Sequence, residues 1–434
     1  MVRWQAPAAI GRSERMVYVG VDIAKVDHVA GAVDEHGERV CRPMGFKNAE
    51  AGFERLCAWL EGVCGDAGEA VVGMEATGHY WMACYAFLTS KGYPVAVVNP
   101  MQVKAVRDLK GRSRVKNDRV DSELIAETMR IGQCDPTRLA TDDVQALRLH
   151  TRYRQNLRDA MAEAKTQAKC LLDAYFPEYE GTFSDDFGAA STAVLKRCPT
   201  AVECRRTQAR TLSRLVSEAS RGRLGDAKAD EIKAKAKASV GIDLAWEAAS
   251  LEIRGHVAHI EYLEGEIARL DKVIAETLGR VEPLVLTIPG VGATVGAQIV
   301  AEVGDVSRFR NAAALVSYAG LNPGVSQSGR FEATEVHITK KGSAHLRRAL
   351  WLAASRAYQH DAALGEFYAR KRSEGKSHRE AVTAVARKLC HIAFAVMRDQ
   401  RPYDPSKPGA DPSKAVARKQ SVFGSQGASG TDKT

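Results

Sequence analysis

Four carboxylates stand where this chain could do metal chemistry: Asp22 in YVGVDIAK, Glu75 in VVGMEATG, and Asp118 with Asp121 in KNDRVD. Acids that converge repel one another unless cations lie between them. Mg²⁺, or Mn²⁺ in its place, suits such a set, because it takes carboxylates together with substrate phosphates. Two such ions about 4 Å apart clamp the attacking and leaving oxygens of a phosphodiester. The chemistry in view is cleavage or transfer of a nucleic-acid strand. The plainer alternative is that acids at strand ends and helix starts are solvated caps. Against it, Asp22 interrupts an apolar strand where a purely structural strand wants Val or Ile.

The elements that must position these acids can be read from periodicity. Asp22 and Glu75 each end a short run of Val, Gly and Tyr or Met that reads as a buried strand. Asp118 and Asp121 are three residues apart at a helix start, so their side chains share one face. The order strand–Asp, strand–Glu, helix–Asp-x-x-Asp fits a ribonuclease-H-like sheet whose acids meet at one edge. Around it the chain reads as strands over MVYVGVDIA and HVAGAVDEHG, a third strand near Val40 and a helix over NAEAGFERLCAWLEGV. Strand AVVGME, a helix from His79 and strand PVAVVNP follow. This mixed order predicts an α/β domain over 16–140, preceded by a loose leader, 1–15.

The middle of the chain, 141–280, is helical. Trp246, Ile253, Ile260, Ile267 and Ile274 recur every seventh residue, with Ala249, His256, Leu263, Leu270 and Thr277 three positions later. This heptad pattern predicts a coiled coil, with a partner either in the chain (the helix carrying Leu157, Met161, Ala164, Ala168, Leu171 and Tyr175) or in another subunit. Between these helices 176–242 is rich in Arg, Lys and Ala and reads as a helical insertion. A third unit, 283–403, opens on TIPGVGATVGAQIVAEVG. Its Pro-Gly-x-Gly turn is either a tight helix–helix turn or a phosphate cradle of the helix-hairpin-helix kind. After it come SYAGLNPGVSQSGR, a basic segment and a helix over HREAVTAVARKLCHIAFAVMRD. The tail, 404–434, is Pro, Ser, Gly and Lys and reads as disordered.

At 434 residues there is room for two or three domains. The formal charge of +9, from 62 Lys and Arg against 53 Asp and Glu, raises the prospect of an anionic partner. Its distribution says more. Arg107, Lys110, Arg112, Arg114, Lys116 and Arg119 crowd the approach to KNDRVD, and Lys340, Lys341, His345, Arg347, Arg348 and Arg356 form a second cluster. Basic residues flanking an acidic site suit phosphates led towards metal ions, although solvated helix faces look the same. The nine cysteines show no CxxC pair, which predicts reduced thiols in a cytoplasm and no zinc site. No run of 18 apolar residues and no signal core is present, so no membrane partner is expected.

Together GVDIAK, MEATG, NDRVD, IPGVG, GLNPG…SG and the closing K-x-G…LRRAL resemble, in order and over nearly all of 16–403, the bridge-RNA-guided insertion-sequence transposases of the IS-one-ten type. That resemblance implies a RuvC-like DEDD domain joined by a coiled coil to a mainly helical C-terminal transposase domain. It implies Mg²⁺ on Asp22, Glu75, Asp118 and Asp121, and a serine nucleophile that falls on Ser328, with Ser326 close by. It further implies donor and target DNA, a structured guide RNA that pairs with both, and a dimer or tetramer in a prokaryotic cytoplasm beside the nucleoid. A hydroxyl needs activation to attack, and Arg330 could offset the charge that develops. Arg112, Arg114, Lys116, Arg330, Lys340, Lys341, Arg347 and Arg348 are the candidate nucleic-acid contacts. The 176–242 insertion departs from the family pattern. A junction-resolving nuclease that uses water, with Ser328 structural, and a non-catalytic nucleic-acid scaffold are the rival readings; four intact acids argue against the second.

Overall fold

The computed structural model describes residues 16–405, apart from 77, 112–116, 133–136, 138, 139, 325, 326, 329, 330 and 333–337; for 327, 328, 331 and 332 it describes the backbone. The leader 1–15 and most of the tail lie outside the described residues. The chain divides into two compact units, Met1–Arg138 and Leu139–Thr434.

The first unit is built on strands β1 (Val17–Asp22), β2 (Asp27–Val33), β3 (Met44–Lys47), β4 (Ala70–Glu75) and β5 (Val95–Val98). Their order in the sheet is β3-β2-β1-β4-β5. Strand β2 pairs antiparallel with β1 and β3, while β1, β4 and β5 run parallel. Helices α1 (Glu50–Cys64) and α2 (Trp81–Ser90) belong with one face, and α3 (Pro100–Leu109) and α4 (Asp118–Gly132) with the other. The third strand is not at Val40. After β2 a turn at Asp34, whose carboxylate accepts the His36 and Glu38 N–H groups at 2.9 Å each, leaves only a single bridge, Val33 to Arg39. Pro43 then offers no N–H to a ladder, and pairing resumes at Met44. Helix α2 likewise starts at Trp81, after a turn through His79.

The second unit begins with α5 (Asp142–Tyr175), continues through α6 (Ala189–Arg197), α7 (Ala201–Arg206), α8 (Ala209–Ala219) and α9 (Asp226–Ala238), and returns along α10 (Trp246–Val281). The heptad residues Ile253, Ile260, Leu263, Ile267, Leu270 and Ile274 are buried in one core with Leu157, Met161, Ala164 and Ala168 of α5. The partner of the α10 seam is thus the α5 helix of the same chain. At the heptad place of His256 it is Val257 that fills the core. The four helices of 176–242 share that core through Val194, Leu195, Ala201, Cys204, Leu212, Val216, Ile232 and Ala236.

The rest of the unit is α11 (Ala293–Val303), α12 (Ala312–Tyr318), a hairpin of β6 (Gln327–Ser328) and β7 (Phe331–Glu332), α13 (Ala344–His360), α14 (Ala362–Ser373) and α15 (His378–Asp399). A second core, with Ile299, Leu315, Leu346, Leu350, Val385 and Leu389, holds these helices. Helix α15 starts with a capping box between Ser377 and Glu380. Among the described residues, no helix is long and apolar enough to cross a membrane. The eight described cysteines are free thiols and most are buried.

Candidate active site

Strand alternation decides which way the strand-end acids face. On β1, Val17, Val19 and Val21 pack into the core with α1 and α2, which leaves Tyr18, Gly20 and Asp22 on the α4 side. On β4, Ala70, Val72 and Met74 do the same, leaving Val71, Gly73 and Glu75 on the α4 side. The parallel register pairs Val21 with Met74, so Asp22 and Glu75 stand side by side one step further on, at the carboxyl edge of the sheet.

Helix α4 is laid on this face by a row of small residues in register across four strands: Gly31, Gly20, Gly73 and Ala96. A methyl group at Gly20 would stand 2.0 Å from the Ser122 carbonyl oxygen and 2.5 Å from the Ala126 nitrogen, and one at Gly73 would stand 2.2 Å from Met129 Sδ. Ser122, Ile125, Ala126 and Met129 form one buried helical stripe at steps of three and four. The other end of the helix shows its direction. Glu127 and Arg130 lie beside Gly37, beyond the end of β2 that flanks the start of β1. Helix α4 therefore runs against β1, and its first turn, with Asp118 and Asp121, points towards the edge that holds Asp22 and Glu75. Asn117 starts the helix: its Oδ1 accepts the Arg119 N–H at 3.0 Å and its carbonyl accepts the Asp121 N–H at 2.8 Å. Acids in that first turn are favoured by the helix dipole.

Asp118 is exposed. Asp121 is largely withdrawn from solvent and ion-paired with Arg107, on the last turn of α3, at 2.8 Å. Its Oδ1 is buried and has no hydrogen-bond partner of good geometry. Carboxylate oxygens are the hard donors a divalent cation takes, and a buried Asp121 Oδ1 without a hydrogen bond is open to one, so in donor type these residues fit such an ion. Among the described residues no three acid, His or Cys side chains already form a cage. The turn after Asp22 is fixed by His28, which is fully buried and whose Nδ1 accepts the Ala24 N–H at 3.1 Å. Burial lowers its pKa, which favours the neutral ring that can accept that bond.

The sequence-predicted serine belongs to the other unit. Between α12 and α13 the chain makes the β6–β7 hairpin, with Gln327 opposite Glu332 and Ser328 opposite Phe331. A bridge from Pro323 to Ile338 closes its base, and the Thr339 and Lys340 N–H groups donate to the Asn322 and Gly320 carbonyls at 2.9 and 3.2 Å. Ser328 is thus on a hairpin strand, and its side chain lies outside the described residues. Ser326, Arg330, Arg112, Arg114 and Lys116 lie outside them entirely.

A family model described as Transposase matches residues 19–177, and one described as Transposase IS116/IS110/IS902 family matches residues 282–369. The chain belongs to the IS110/IS116/IS902 transposase family. It is accordingly a DNA-cutting and rejoining enzyme. The transposase is similar to an uncharacterized 44.8 kDa protein of insertion element IS116 from Streptomyces clavuligerus, at 27% identity over 90% of this chain and 97% of the relative. It is also similar to the pilin gene-inverting protein of Moraxella bovis, at 25% identity over 89% of this chain and 97% of that protein. Among solved structures, T. thermophilus RuvC in complex with a Holliday junction substrate matches 28% of this chain and 99% of its own, at 20% identity and a TM-score of 0.23.

The basic residues of the transposase divide into occupied and open ones. Lys110 pairs at 2.8 Å with Glu127, which Arg130 also holds through two bonds of 2.7 Å. Arg130 and then Lys110 outweigh the opposing effect of burial and bring that carboxyl down to about 2. Arg347 donates to the Ala319 and Lys340 carbonyls at 3.1 and 3.3 Å, tying the foot of the hairpin to α13. Arg348 pairs with Asp159 of α5 at 2.8 Å, and Lys340 and Lys341 are exposed. The Pro-Gly-x-Gly turn lines an open groove of about 860 Å³ together with Leu352, Arg356 and His360. Gly290, at φ +83°, abuts α13 so closely that a Cβ would stand 2.4 Å from the Ala357 nitrogen.

Sequence reasoning missed a buried polar network beneath the hairpin. Glu302 of α11 is fully buried; it accepts two bonds from Arg152 at 2.6 and 2.9 Å and one from the Ser343 hydroxyl at 2.8 Å. Ser343 caps α13 and its N–H reaches the Tyr318 carbonyl at 2.7 Å. Gln155 accepts from Gln298 at 2.8 Å and bonds to His345 Nδ1 at 2.9 Å. The signal was present: Gln298 and Glu302, four apart, interrupt the small apolar helix GAQIVAEVG just as Asp22 interrupts β1.

Proposed function

We propose that this transposase cuts and rejoins DNA with two sets of groups: the acids Asp22, Glu75, Asp118 and Asp121, holding Mg²⁺ or Mn²⁺, and Ser328 as the nucleophile. The observation that supports the metal reading is the shared face of Asp22 and Glu75 at one sheet edge, with the acidic first turn of α4 directed to that edge. When bound, the ion would polarise the scissile phosphate and offset the charge of the displaced oxygen. Ser328 Oγ would then form a bond to phosphorus as the bond to one deoxyribose oxygen breaks. The serine proton leaves to a base, and the phosphoserine link conserves the bond energy for rejoining. A position on a hairpin, with Gly329 directly after Ser328 and Gly324 four residues before it, supports a backbone that approaches DNA closely.

The fold reading that goes with this function is a ribonuclease-H-like, RuvC-like first domain, a helical coiled-coil region and a helical transposase domain. The family likeness further supports a structured guide RNA that pairs with donor and target DNA, and assembly as a dimer or tetramer. Exposed Lys340 and Lys341 are suited to phosphate contacts, as are Arg112, Arg114, Lys116 and Arg330 by charge.

The test is a stalled reaction on labelled donor DNA. Wild-type protein should carry DNA through boiling in detergent, Ser326→Ala should retain that adduct, and Ser328→Ala should lose it and recombination while still binding nucleic acid. A Ser328→Ala protein that cleaves DNA at the wild-type rate would make water the nucleophile. RNA sequenced from the purified complex tests the guide: a single structured species supports it, and only random cellular fragments would remove it.

A further inference from the structure

We propose that Arg107 is a built-in counter-ion of the metal site, occupying Asp121 in the metal-free enzyme and displaced from it when a divalent cation binds. The inference rests on Asp121 being a metal ligand. Three observations carry it. Arg107 Nη2 lies 2.8 Å from Asp121 Oδ1, and the two side chains keep only 19% and 13% of their exposure. Asp121 Oδ1 is buried and takes no well-formed hydrogen bond, so the charge of Arg107 is what compensates it. Finally, α3 presents Arg107 from its last turn, immediately before the basic stretch that leads into α4.

The physical logic is competition for one oxygen. Two carboxylates at the sheet edge and two on the facing helix turn repel one another without a cation, and a withdrawn carboxylate left alone is costly. The Arg107 guanidinium meets that need at Asp121. A divalent ion that takes Asp121 Oδ1 binds it at a shorter distance and with fixed geometry, so on this proposal the Arg107–Asp121 contact opens. Binding of the ion and closure of the ion pair are then linked with opposite sign, and the linkage is reciprocal. Once free, the guanidinium is a planar fork suited to a DNA phosphate arriving at the same edge. The site would in this way exchange an internal cation for an external one as substrate arrives.

The experiment is a titration of full-length, nucleic-acid-free protein with MnCl₂, following free Mn²⁺ by electron paramagnetic resonance. Wild type should bind Mn²⁺ at a site that Asp22→Ala removes. Arg107→Gln should bind Mn²⁺ on the order of tenfold tighter, and its gain in melting temperature on adding Mn²⁺ should exceed that of wild type. In an Asp121→Asn background the same Arg107→Gln change should tighten Mn²⁺ binding less than it does in the wild type. Arg107→Lys keeps the charge but loses the fork, so it should bind less tightly than Arg107→Gln; it also serves as the test should Arg107→Gln fail to fold, when any tightening over wild type supports the proposal and none overturns it. Affinity unchanged or weakened in Arg107→Gln overturns the counter-ion role. If wild type itself shows no Mn²⁺ site sensitive to Asp22→Ala, the metal assignment fails instead, which separates the two ideas.

Discussion

The sheet edge in the first unit and the serine hairpin in the second hold their functional residues by opposite means. Asp22 and Glu75 are ends of paired strands, so their direction follows from register and alternation, and α4 is keyed to them by a row of glycines. The hairpin has two residues in each strand, and its definition comes from its feet: Arg347 on carbonyls at one side, and Ser343 with buried Glu302 beneath. A rigid set of acids and a hairpin tethered at its base is a reasonable division for strand exchange. In the proposed roles, metal ligands would have to keep their spacing, whereas a nucleophile would have to meet DNA that changes position. The lesson is that a site can be fixed by main-chain register or by a polar anchor, and that substitutions should tell the two apart.

The largest effect should come from the edge itself. Asp22→Ala or Glu75→Ala should lower strand exchange by roughly a hundred- to thousandfold or more, with the melting temperature unchanged or raised because repulsion between the acids falls. Recombination assays with circular dichroism check both halves. A variant that keeps wild-type activity, or wild-type activity in excess EDTA, would break the reading of this edge as the chemical centre.

The anchor of the second unit should show the reverse pattern, with stability lost first. Glu302→Ala removes a fully buried carboxylate that accepts three bonds and leaves the Ser343 hydroxyl and a half-exposed Arg152 without it, which costs roughly 1–3 kcal/mol. Urea unfolding would measure this. Burial pushes the Glu302 carboxyl up, but Arg152 and Ser343 more than offset it, and the group lies below its ordinary value of 4.5. The sign follows. The stabilisation is complete above that pH and fades as the pH falls through the lowered value, so the gap between wild type and variant should narrow in acid. A gap that widens in acid would contradict the pairing. In the same unit, Ile260 is 2% exposed between α10 and α5, so Ile260→Asp should unfold the helix pair of a single chain. A change in oligomer size at unchanged melting temperature would show instead that the seam binds another subunit.

These differences also explain what the sequence alone allowed. The ends of β1 and β4 were legible because a carboxylate in a Val and Gly run breaks a strong period-two pattern. The α10 seam was legible because Ile recurs every seventh residue. The first four turns of α5 were not, since Arg148, Arg152 and Gln155 turn a polar face to α11 and no apolar stripe marks the helix before Leu157. Its start at Asp142 therefore came only with the fold. Helix α3 carries Asn99 as its cap and Pro100 in its first turn, a signature that ten residues with few apolar positions left unread. The third strand moved from Val40 to Met44 because a single proline outweighs local propensity. Glu302 went unread because its partners are some 40 and 150 residues away in sequence.

A smaller effect would sharpen how α4 is seated. Gly20→Ala adds a methyl group into a helix backbone 2.0 Å away; with some shift of α4 the cost should be about 1–3 kcal/mol. Because α4 carries Asp118 and Asp121, activity should fall further than this loss of stability explains at a temperature where the variant is folded. Gly92→Ala, at an open turn with φ +87°, is the control: it should cost stability through its backbone alone and leave activity per folded molecule intact.

The smallest effect belongs to Arg348, and it separates anchoring from binding. Its ion pair with Asp159 joins side chains that keep 42% and 53% of their exposure, so Arg348→Ala should cost less than about 1 kcal/mol in unfolding. If Arg348 also meets a DNA or RNA phosphate, nucleic-acid affinity should drop at low salt. The slope of log affinity against log salt should then shrink by about one counterion. Asp159→Asn removes the same ion pair while leaving the arginine, so it should match the small loss of stability yet hold or raise affinity. Equal losses of affinity in both variants would mean that Arg348 serves α5 alone. The nucleic-acid face of this unit would then rest on Lys340 and Lys341, exposed at the foot of the hairpin.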